Sequence, residues 1–328
     1  MKKSDVLGER RIIEIIQDQL DLMPRMPVPF GDDISAYNLG NGKLAVLKTD
    51  MLVGKTDIPK RMSLWQAARK AVVMNVSDFA AKGVKPLVLL VSLGLPAGFS
   101  EKDVEAIGDG LNAGAREYGA YIIGGDTGET SDLTVSISLF GVAKKGQLAL
   151  RTGAESGDFV AVTGLFGKSS SGLRVLLDKA NAPEDTSEVL VESVLMPCAR
   201  LQEGLALGKS GAVTAAIDSS DGLAWCLHEI GRASNVGFLI EKLPVAKEVE
   251  SFARINDLDA AELVLYGGEE YELVVTVRPQ LWFKAKEAVR KVGGRLTLIG
   301  KVTSKKVVLL RIGRRECVIE SRGYEHFR

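Results

Sequence analysis

Three short apolar runs in this chain each lead into an aspartate: Leu44-Ala-Val-Leu-Lys-Thr-Asp50, Tyr121-Ile-Ile-Gly-Gly-Asp126 and Val213-Thr-Ala-Ala-Ile-Asp218. Runs of this length, bounded by Gly, Ser and Asp, read as buried strands. A carboxylate at the end of a buried strand is costly unless something pairs with it. Gly31-Asp32-Asp33 and Asp218-Ser219-Ser220-Asp221-Gly222-Leu223 add to the pattern. Acids outnumber candidate nucleophiles at these positions, which points to holding cations rather than attacking a substrate. Hard oxygen ligands suit Mg²⁺, and Mg²⁺ usually arrives with substrate phosphates. The pattern implies a metal–polyphosphate site.

A chain of 328 residues, 46% hydrophobic, can bury a large core and is expected to form two domains. Lys plus Arg equals Asp plus Glu at 42 each, which argues against a nucleic-acid or anionic-membrane surface. No apolar stretch approaches the roughly 20 residues that span a bilayer. Met1-Lys-Lys-Ser-Asp5 runs into an amphipathic segment rather than a signal core. Cys198, Cys226 and Cys317 are odd in number and widely spaced, as expected of reduced core thiols in a cytoplasmic protein.

Residues 5–20 read as a helix with Ile12, Ile13, Ile15, Ile16 and Leu20 near one face, and the Pro-rich segment 23–30 as an extended loop. Ser63 is placed to cap a helix running to Lys82, with Gly83 as its stop. Residues 86–95 read as a strand, and Ser100-Glu-Lys-Asp103 as a capping box opening a helix to Tyr118. Another strand is expected over 133–143. Gly, Ser and charged residues cluster at 151–158, dividing the chain into domains 1–149 and 150–328. The second half is expected to hold a strand over 159–163, a polar loop over 180–188 and a helix over 188–207. The first half reads as α+β, with more regular α/β character in the second.

Gly164-Leu-Phe-Gly167-Lys168-Ser169 resembles a P-loop only superficially, because the position that needs the first glycine is Val162. The loop reads as a βα turn whose amides could still face phosphate. Asp32 and Asp33 are adjacent, so one can turn toward a metal while the other caps. Thr49 and Asp50 offer a hydroxyl and a carboxylate together. Between Ala71 and Ala81, Val72, Val73, Val76 and Ala80 make the apolar stripe, while Asn75 and Asp78 share another face. The segment is apolar enough that Asp78 is expected to be buried, where it needs a cation or donors. Gly124-Gly125-Asp126-Thr127 joins backbone freedom to an acid and a hydroxyl. Asp218 and Asp221 stand three residues apart at a strand-to-helix junction, where free amides attract phosphate oxygens. His228 and His326 have no triad context.

Assembled, these segments resemble the thiamine-monophosphate kinase family, of the superfamily of aminoimidazole-ribonucleotide synthetase, selenophosphate synthetase and a hydrogenase-maturation dehydratase. The matching pieces run nearly end to end: Gly31-Asp-Asp, Thr49-Asp50, Asn75-Val-Ser-Asp78-Phe-Ala-Ala, Gly124-Gly-Asp-Thr, Arg151-Thr-Gly, Ala216-Ile-Asp-Ser-Ser-Asp-Gly-Leu, Gly267-Gly-Glu-Glu-Tyr-Glu-Leu, Ile299-Gly-Lys-Val and Gly323-Tyr-Glu-His-Phe. The resemblance implies a two-domain aminoimidazole-ribonucleotide-synthetase-like fold. Its N-terminal halves would pair in a homodimer around an intersubunit β-barrel. It also implies ATP held through several Mg²⁺ ions, and transfer of the γ-phosphoryl group to thiamine monophosphate as the last step toward thiamine diphosphate. By position, Asp33, Thr49, Asp50, Asp78, Asp126, Asp218 and Asp221 match metal ligands. Thr49, Gly125, Asp126, Arg151 and Ser220 match nucleotide contacts, and Asp57, Glu269 and Tyr324 stand on the substrate side. Asp50, Asp78, Asp221 and Arg151 would carry the chemistry.

Three positions depart from the common bacterial pattern and resemble an archaeal form. Lys48 replaces a serine and cannot ligate a metal while charged, Asp57 replaces a histidine, and Glu270 replaces an aspartate. The selenophosphate branch carries a reactive Cys or selenocysteine near its N-terminus, and no cysteine precedes Cys198 here.

Overall fold

The computed structural model describes residues 7–327, so the first residues of the helix expected over 5–20 lie outside the described span. The first half runs α1 (Glu9–Gln17), β1 (Ser35–Gly40), β2 (Lys43–Val53), α2 (Gly54–Asp57), α3 (Leu64–Ala81), β3 (Pro86–Leu95), α4 (Glu101–Glu117), β4 (Tyr121–Glu129) and β5 (Thr134–Lys144). The second half opens with β6 (Phe159–Val162), α5 (Lys168–Leu177), α6 (Glu184–Leu195), α7 (Leu201–Ser210), β7 (Val213–Asp218) and α8 (Leu223–Ser234). It continues through β8 (Gly237–Ile240), α9 (Lys247–Ile255), α10 (Ala260–Tyr266), β9 (Leu273–Val277), α11 (Trp282–Lys291), β10 (Thr297–Thr303), β11 (Val308–Ile312) and β12 (Arg315–Val318).

Two sheets result, a five-stranded one in the order β1-β2-β5-β3-β4 and a seven-stranded one in the order β12-β11-β8-β10-β6-β9-β7. Both are mixed. In the first only β3 and β4 pair in parallel, and in the second only β8 and β11 do. The regular α/β character expected of the second half is therefore not what forms. Consecutive strands β6 and β7 flank β9, which runs antiparallel to both, so the helices between them do not connect parallel neighbours.

Helix α3 is the element on which both sheets close. Ser63 caps it and Gly83 ends it at φ 67°, as the sequence indicates, and the structure adds a complete capping box with Gln66. Its Val72, Val73, Val76 and Phe79 are fully buried in one cluster with Val135, Ile137 and Leu139 of β5 and with Ala216, Val275 and Val277 of the second sheet. Among the described residues the opposite face of the first sheet has no such cover: Tyr37, Leu47, Met51 and Leu90 are exposed, as is every residue of edge strand β4.

Several sequence expectations shift. The run 121–126 is not a buried strand but part of the exposed edge β4, which continues to Glu129. Strand β2 runs three residues past Asp50, so of the three aspartates only Asp218 ends its strand. The helix expected over 188–207 is two helices, α6 and α7, because Pro197 lacks an N–H and disfavours helix at the residue before it. Helix α6 also begins at Glu184, inside the expected loop. The apolar positions of α1 are not buried, with Ile13, Ile15 and Ile16 all exposed. Only Cys226 is a core thiol, whereas Cys198 and Cys317 are exposed.

Candidate functional site

Strand β2 alternates sides, so Lys48 and Asp50 face α3 while Thr49 points outward with its Oγ1 3.5 Å from Ser138 Oγ. On α3, Asp78 turns toward β2 and is buried. From the second sheet, Asp218 arrives at the end of β7, where Ser77 donates a 2.6 Å hydrogen bond to its Oδ2. From the loop before β1 comes Asp33. Asp33, Asp78 and Asp218 each present one carboxylate oxygen within 4.8 Å of the others, and all three are buried.

Four basic side chains hold this region. Lys48 Nζ lies 3.1 Å from Asp50 Oδ1 and 3.0 Å from Asp78 Oδ2. Lys82 Nζ, fully buried at the end of α3, lies 2.8 Å from Asp32 Oδ1 and 2.7 Å from Asp33 Oδ2, and donates to the Ala216 carbonyl at 2.7 Å. Arg151 donates through Nε to Asp33 Oδ1 at 2.7 Å and through Nη1 to the Gly31 carbonyl at 2.9 Å, while its peptide N–H donates to Asp32 Oδ2. Lys70, one of the largest fully buried side chains, donates from Nζ to the Asp57 carbonyl at 3.0 Å and pairs with Glu269.

The acids of this region outnumber the cations paired with them. Burial would lower the Lys48 ammonium, but Asp78 and Asp50 outweigh it and hold it above the ordinary lysine range. Burial likewise pushes Asp33 up, yet Lys82 and Arg151 bring it below the ordinary carboxylate range. Asp78 is driven well up by burial, with Asp218 and Asp50 adding repulsion against the pull of Lys48. Burial and the nearby Asp33 raise Asp218 to about 6, and burial with Asp218 and Glu9 raises Asp221 to about 7. Buried carboxylates pushed toward the protonated form, all hard oxygen donors, fit a divalent cation such as Mg²⁺.

Beside this acid group is a cavity of about 260 Å³, lined by Asp57, Ile58, Leu173, Leu177, Glu269 and Tyr324. The turn Ser219–Asp221 forms the link between the two. The Ser220 carbonyl accepts from the Glu269 N–H at 2.7 Å, and the Asp221 carbonyl accepts from the Tyr324 N–H at 3.1 Å. The start of α5, by contrast, is not open to phosphate: Gly167 and Ser169 donate their peptide N–H groups to Glu270 Oε1 at 2.6 and 3.2 Å. That carboxyl, raised to about 7 by burial and by Glu272, occupies the position an anion would take.

The structure thus brings Asp33, Asp50, Asp78 and Asp218 together, with Arg151 against Asp33. It leaves Thr49 on the outer face of β2 and Asp126 on exposed edge strand β4, apart from that group. Gly125 is needed for packing, since a Cβ there would stand 2.0 Å from the Val91 carbonyl oxygen. Sequence reading missed Lys70, Lys82, Ser77 and Glu229, the last 3.5 Å from Arg151. A signal for the lysines was present: Lys70, Asp78 and Lys82 fall on one four-residue row of a helix otherwise rich in Ala and Val.

Residues 31–143 match the AIR synthase related protein N-terminal domain, and residues 155–312 match its C-terminal domain. The chain is 35% identical over 322 residues to a thiamine-monophosphate kinase of Nitrosopumilus maritimus, covering 98% of this chain and 99% of that one. It is 33% identical over 310 residues to one of Bacillus subtilis, covering 92% and 94%. Among solved structures, AaThiL complexed with AMPPCP and TMP superposes with a TM-score of 0.84 at 27% identity, covering 100% of this chain and 99% of that one. The hydrogenase maturation protein HypE in complex with ATP shares the fold at 19% identity, with a TM-score of 0.71.

The raised carboxyls give the metal-free protein a defined pH dependence. Asp218 and Asp221 bind protons more tightly folded than unfolded, so their contribution is full below their unfolded values near 4 and is lost as pH rises through about 6 to 7. The stability of chelator-treated protein should therefore drop between about pH 4 and 7, by an amount on the order of a few kcal/mol. Mg²⁺ should restore it most at the alkaline end, where no proton competes. A melting temperature that rises over that range, or ignores Mg²⁺ throughout, would contradict the assignment.

Proposed function

This chain belongs to the AIR synthase related proteins, in their thiamine-monophosphate kinase branch, and from that premise we propose that it passes the γ-phosphoryl group of ATP directly and in line onto thiamine monophosphate. One observation carries the reading. The turn Ser219–Asp221 follows directly on Asp218 of the acid group and is hydrogen-bonded through the Ser220 and Asp221 carbonyls to Glu269 and Tyr324 of the cavity lining, which sets a place for two phosphates to meet.

In this reading residues 1–149 supply most of the nucleotide and metal side, and residues 150–328 complete it. Asp33, Asp50, Asp78, Asp218 and Asp221 would hold Mg²⁺ ions. These ions, when bound, neutralise phosphate oxygens and stabilise the charge spread over the transferring group. Thr49, Gly125, Asp126 and Ser220 are proposed contacts of ATP. Arg151 would turn its guanidinium from Asp33 toward the phosphates, leaving the buried Asp33 carboxylate paired with Lys82. In the cavity, the Asp57 carboxylate suits a cationic ring, Glu269 is held in place by Lys70, and Tyr324 offers an aromatic face.

The chemistry asks little else of the protein. A terminal phosphate oxygen of thiamine monophosphate is already anionic at neutral pH, so no strong general base is required. That oxygen forms a bond to the γ-phosphorus as the bond to ADP breaks, with the electron pair leaving on ADP. The difficulty is bringing two anions together, which positioning and cationic neighbours address.

We also propose that the chain works as a homodimer, its exposed first-sheet faces closing on each other. The support is the apolar face of Tyr37, Leu47, Met51 and Leu90, together with Tyr121 and Ile123 on the edge strand. Light scattering should give twice the monomer mass, and Ile123→Asp should shift it toward one copy. A monomeric wild-type protein would rule this out.

Purified protein with ATP, Mg²⁺ and thiamine monophosphate should release ADP and form thiamine diphosphate only when both substrates are present. Asp78→Asn should lower kcat by about 10²–10³, whereas Asp57→Asn should act mainly on KM for thiamine monophosphate. Labelled phosphate remaining on denatured protein after incubation with ATP alone would overturn direct transfer.

A further inference from the structure

Lys48 stands where the charge count needs explaining. Asp32, Asp33, Asp50, Asp78 and Asp218 are five carboxylates, and the ion pairs of Lys48, Lys82 and Arg151 supply three positive charges to them. With Arg151 also shared with Glu229, these acids outnumber their cations by at least two, enough for a divalent ion. The three-acid group accounts for where that ion would sit: Asp33, Asp78 and Asp218 converge, while Asp50 joins them through the Lys48 ammonium. That ammonium is not a surface group, since only 17% of the side chain is exposed and it contacts an oxygen of each acid at 3.0–3.1 Å. Mg²⁺ binds carboxylate oxygens at about 2.0–2.1 Å in octahedral geometry, so it cannot share that position with the ammonium.

We propose that Lys48 is a resident cation of this site, bridging Asp50 and Asp78 in place of a divalent ion, and that the nucleotide-free chain consequently takes one tight divalent cation, at Asp33, Asp78 and Asp218. The inference rests on the metal-assisted transfer proposed above. Its chemical logic is that of a tethered charge. Lys48 and Asp50 project from the same side of one strand, two residues apart, so the ammonium is delivered by the fold and needs no ion from solution. A strand held in register to β5 over its whole length fixes that placement. The site is thereby less dependent on the concentration of free Mg²⁺ than an all-carboxylate site of the same shape.

The test counts metals rather than turnover. Metal-stripped wild-type protein, Lys48→Ser and Lys48→Arg are titrated with Mn²⁺ alone, and free Mn²⁺ is read by electron paramagnetic resonance. Wild type and Lys48→Arg should each hold one tight ion, and Lys48→Ser should hold two. An equal or smaller number in Lys48→Ser than in wild type overturns the proposal. Should Lys48→Ser fail to fold, the wild-type count decides, one ion supporting the proposal and two or more overturning it. Thiamine diphosphate formation by wild type, measured separately, tells the two readings apart. Turnover with an unchanged count removes the role of Lys48 and leaves the kinase reading, whereas the expected counts without turnover do the reverse.

Discussion

The ion pairs of Lys82 with Asp32 and Asp33, together with its hydrogen bond to the Ala216 carbonyl, join three parts of the chain at one ammonium group. The loop before the first sheet, the end of α3 and strand β7 of the second sheet all meet there. With no exposed surface of its own, Lys82 depends on these partners, and they depend on it. Removing one member of such a buried pair typically costs about 3–5 kcal/mol, because the charge left behind has nowhere to go. The same contact fixes where Asp33 points and draws β7 against α3, two residues before Asp218. The acid group is thus a consequence of how the two sheets are tied together.

Helix α3 makes this economical. It is buried on nearly all sides, so each charge it carries must meet an opposite one within the protein or a ligand. Lys82 meets two aspartates, Lys70 meets Glu269 at the cavity wall, and Asp78 meets Lys48. One helix therefore sets the relative position of the acid group and the cavity beside it. The carboxyls that remain under-compensated, Asp78, Asp218 and Asp221, are those pushed toward protonation, and they cluster where a phosphate-bearing ligand with its cations would enter. In the kinase reading, ligand binding relieves a charge excess that folding leaves in place.

Much of this was legible in the sequence because the signals are local. The Ser63 cap, the Ser100 capping box, the Gly83 stop and the strand over 86–95 rest on contacts within a few residues, and they stand where the residues say. An acid in an apolar helix, Asp78, announced its own burial. What was missed is long-range. Nothing near Lys82 in the chain shows that Ala216 will accept its hydrogen bond, nor does anything near Gly167 show that Glu270 will occupy its amides. Strand β4 was misjudged for a related reason. Apolarity in a short run reads as burial, and it does not tell a core strand from an edge strand whose residues stay exposed. The split of the expected helix at Pro197 was readable and had a known cause, since proline breaks the hydrogen-bond ladder. The mostly antiparallel second sheet was not readable, because strand order is settled by which faces pack and not by the alternation of helix and strand.

Anomalous diffraction from crystals grown with Mn²⁺, AMPPCP and thiamine monophosphate tests the central claim most directly. A metal peak within ligand distance of Asp33, Asp78 and Asp218, with the triphosphate analogue on it and the thiamine compound in the cavity of Asp57, Glu269 and Tyr324, is the arrangement expected. Metal and nucleotide bound elsewhere, with those three carboxylates unligated, would contradict it.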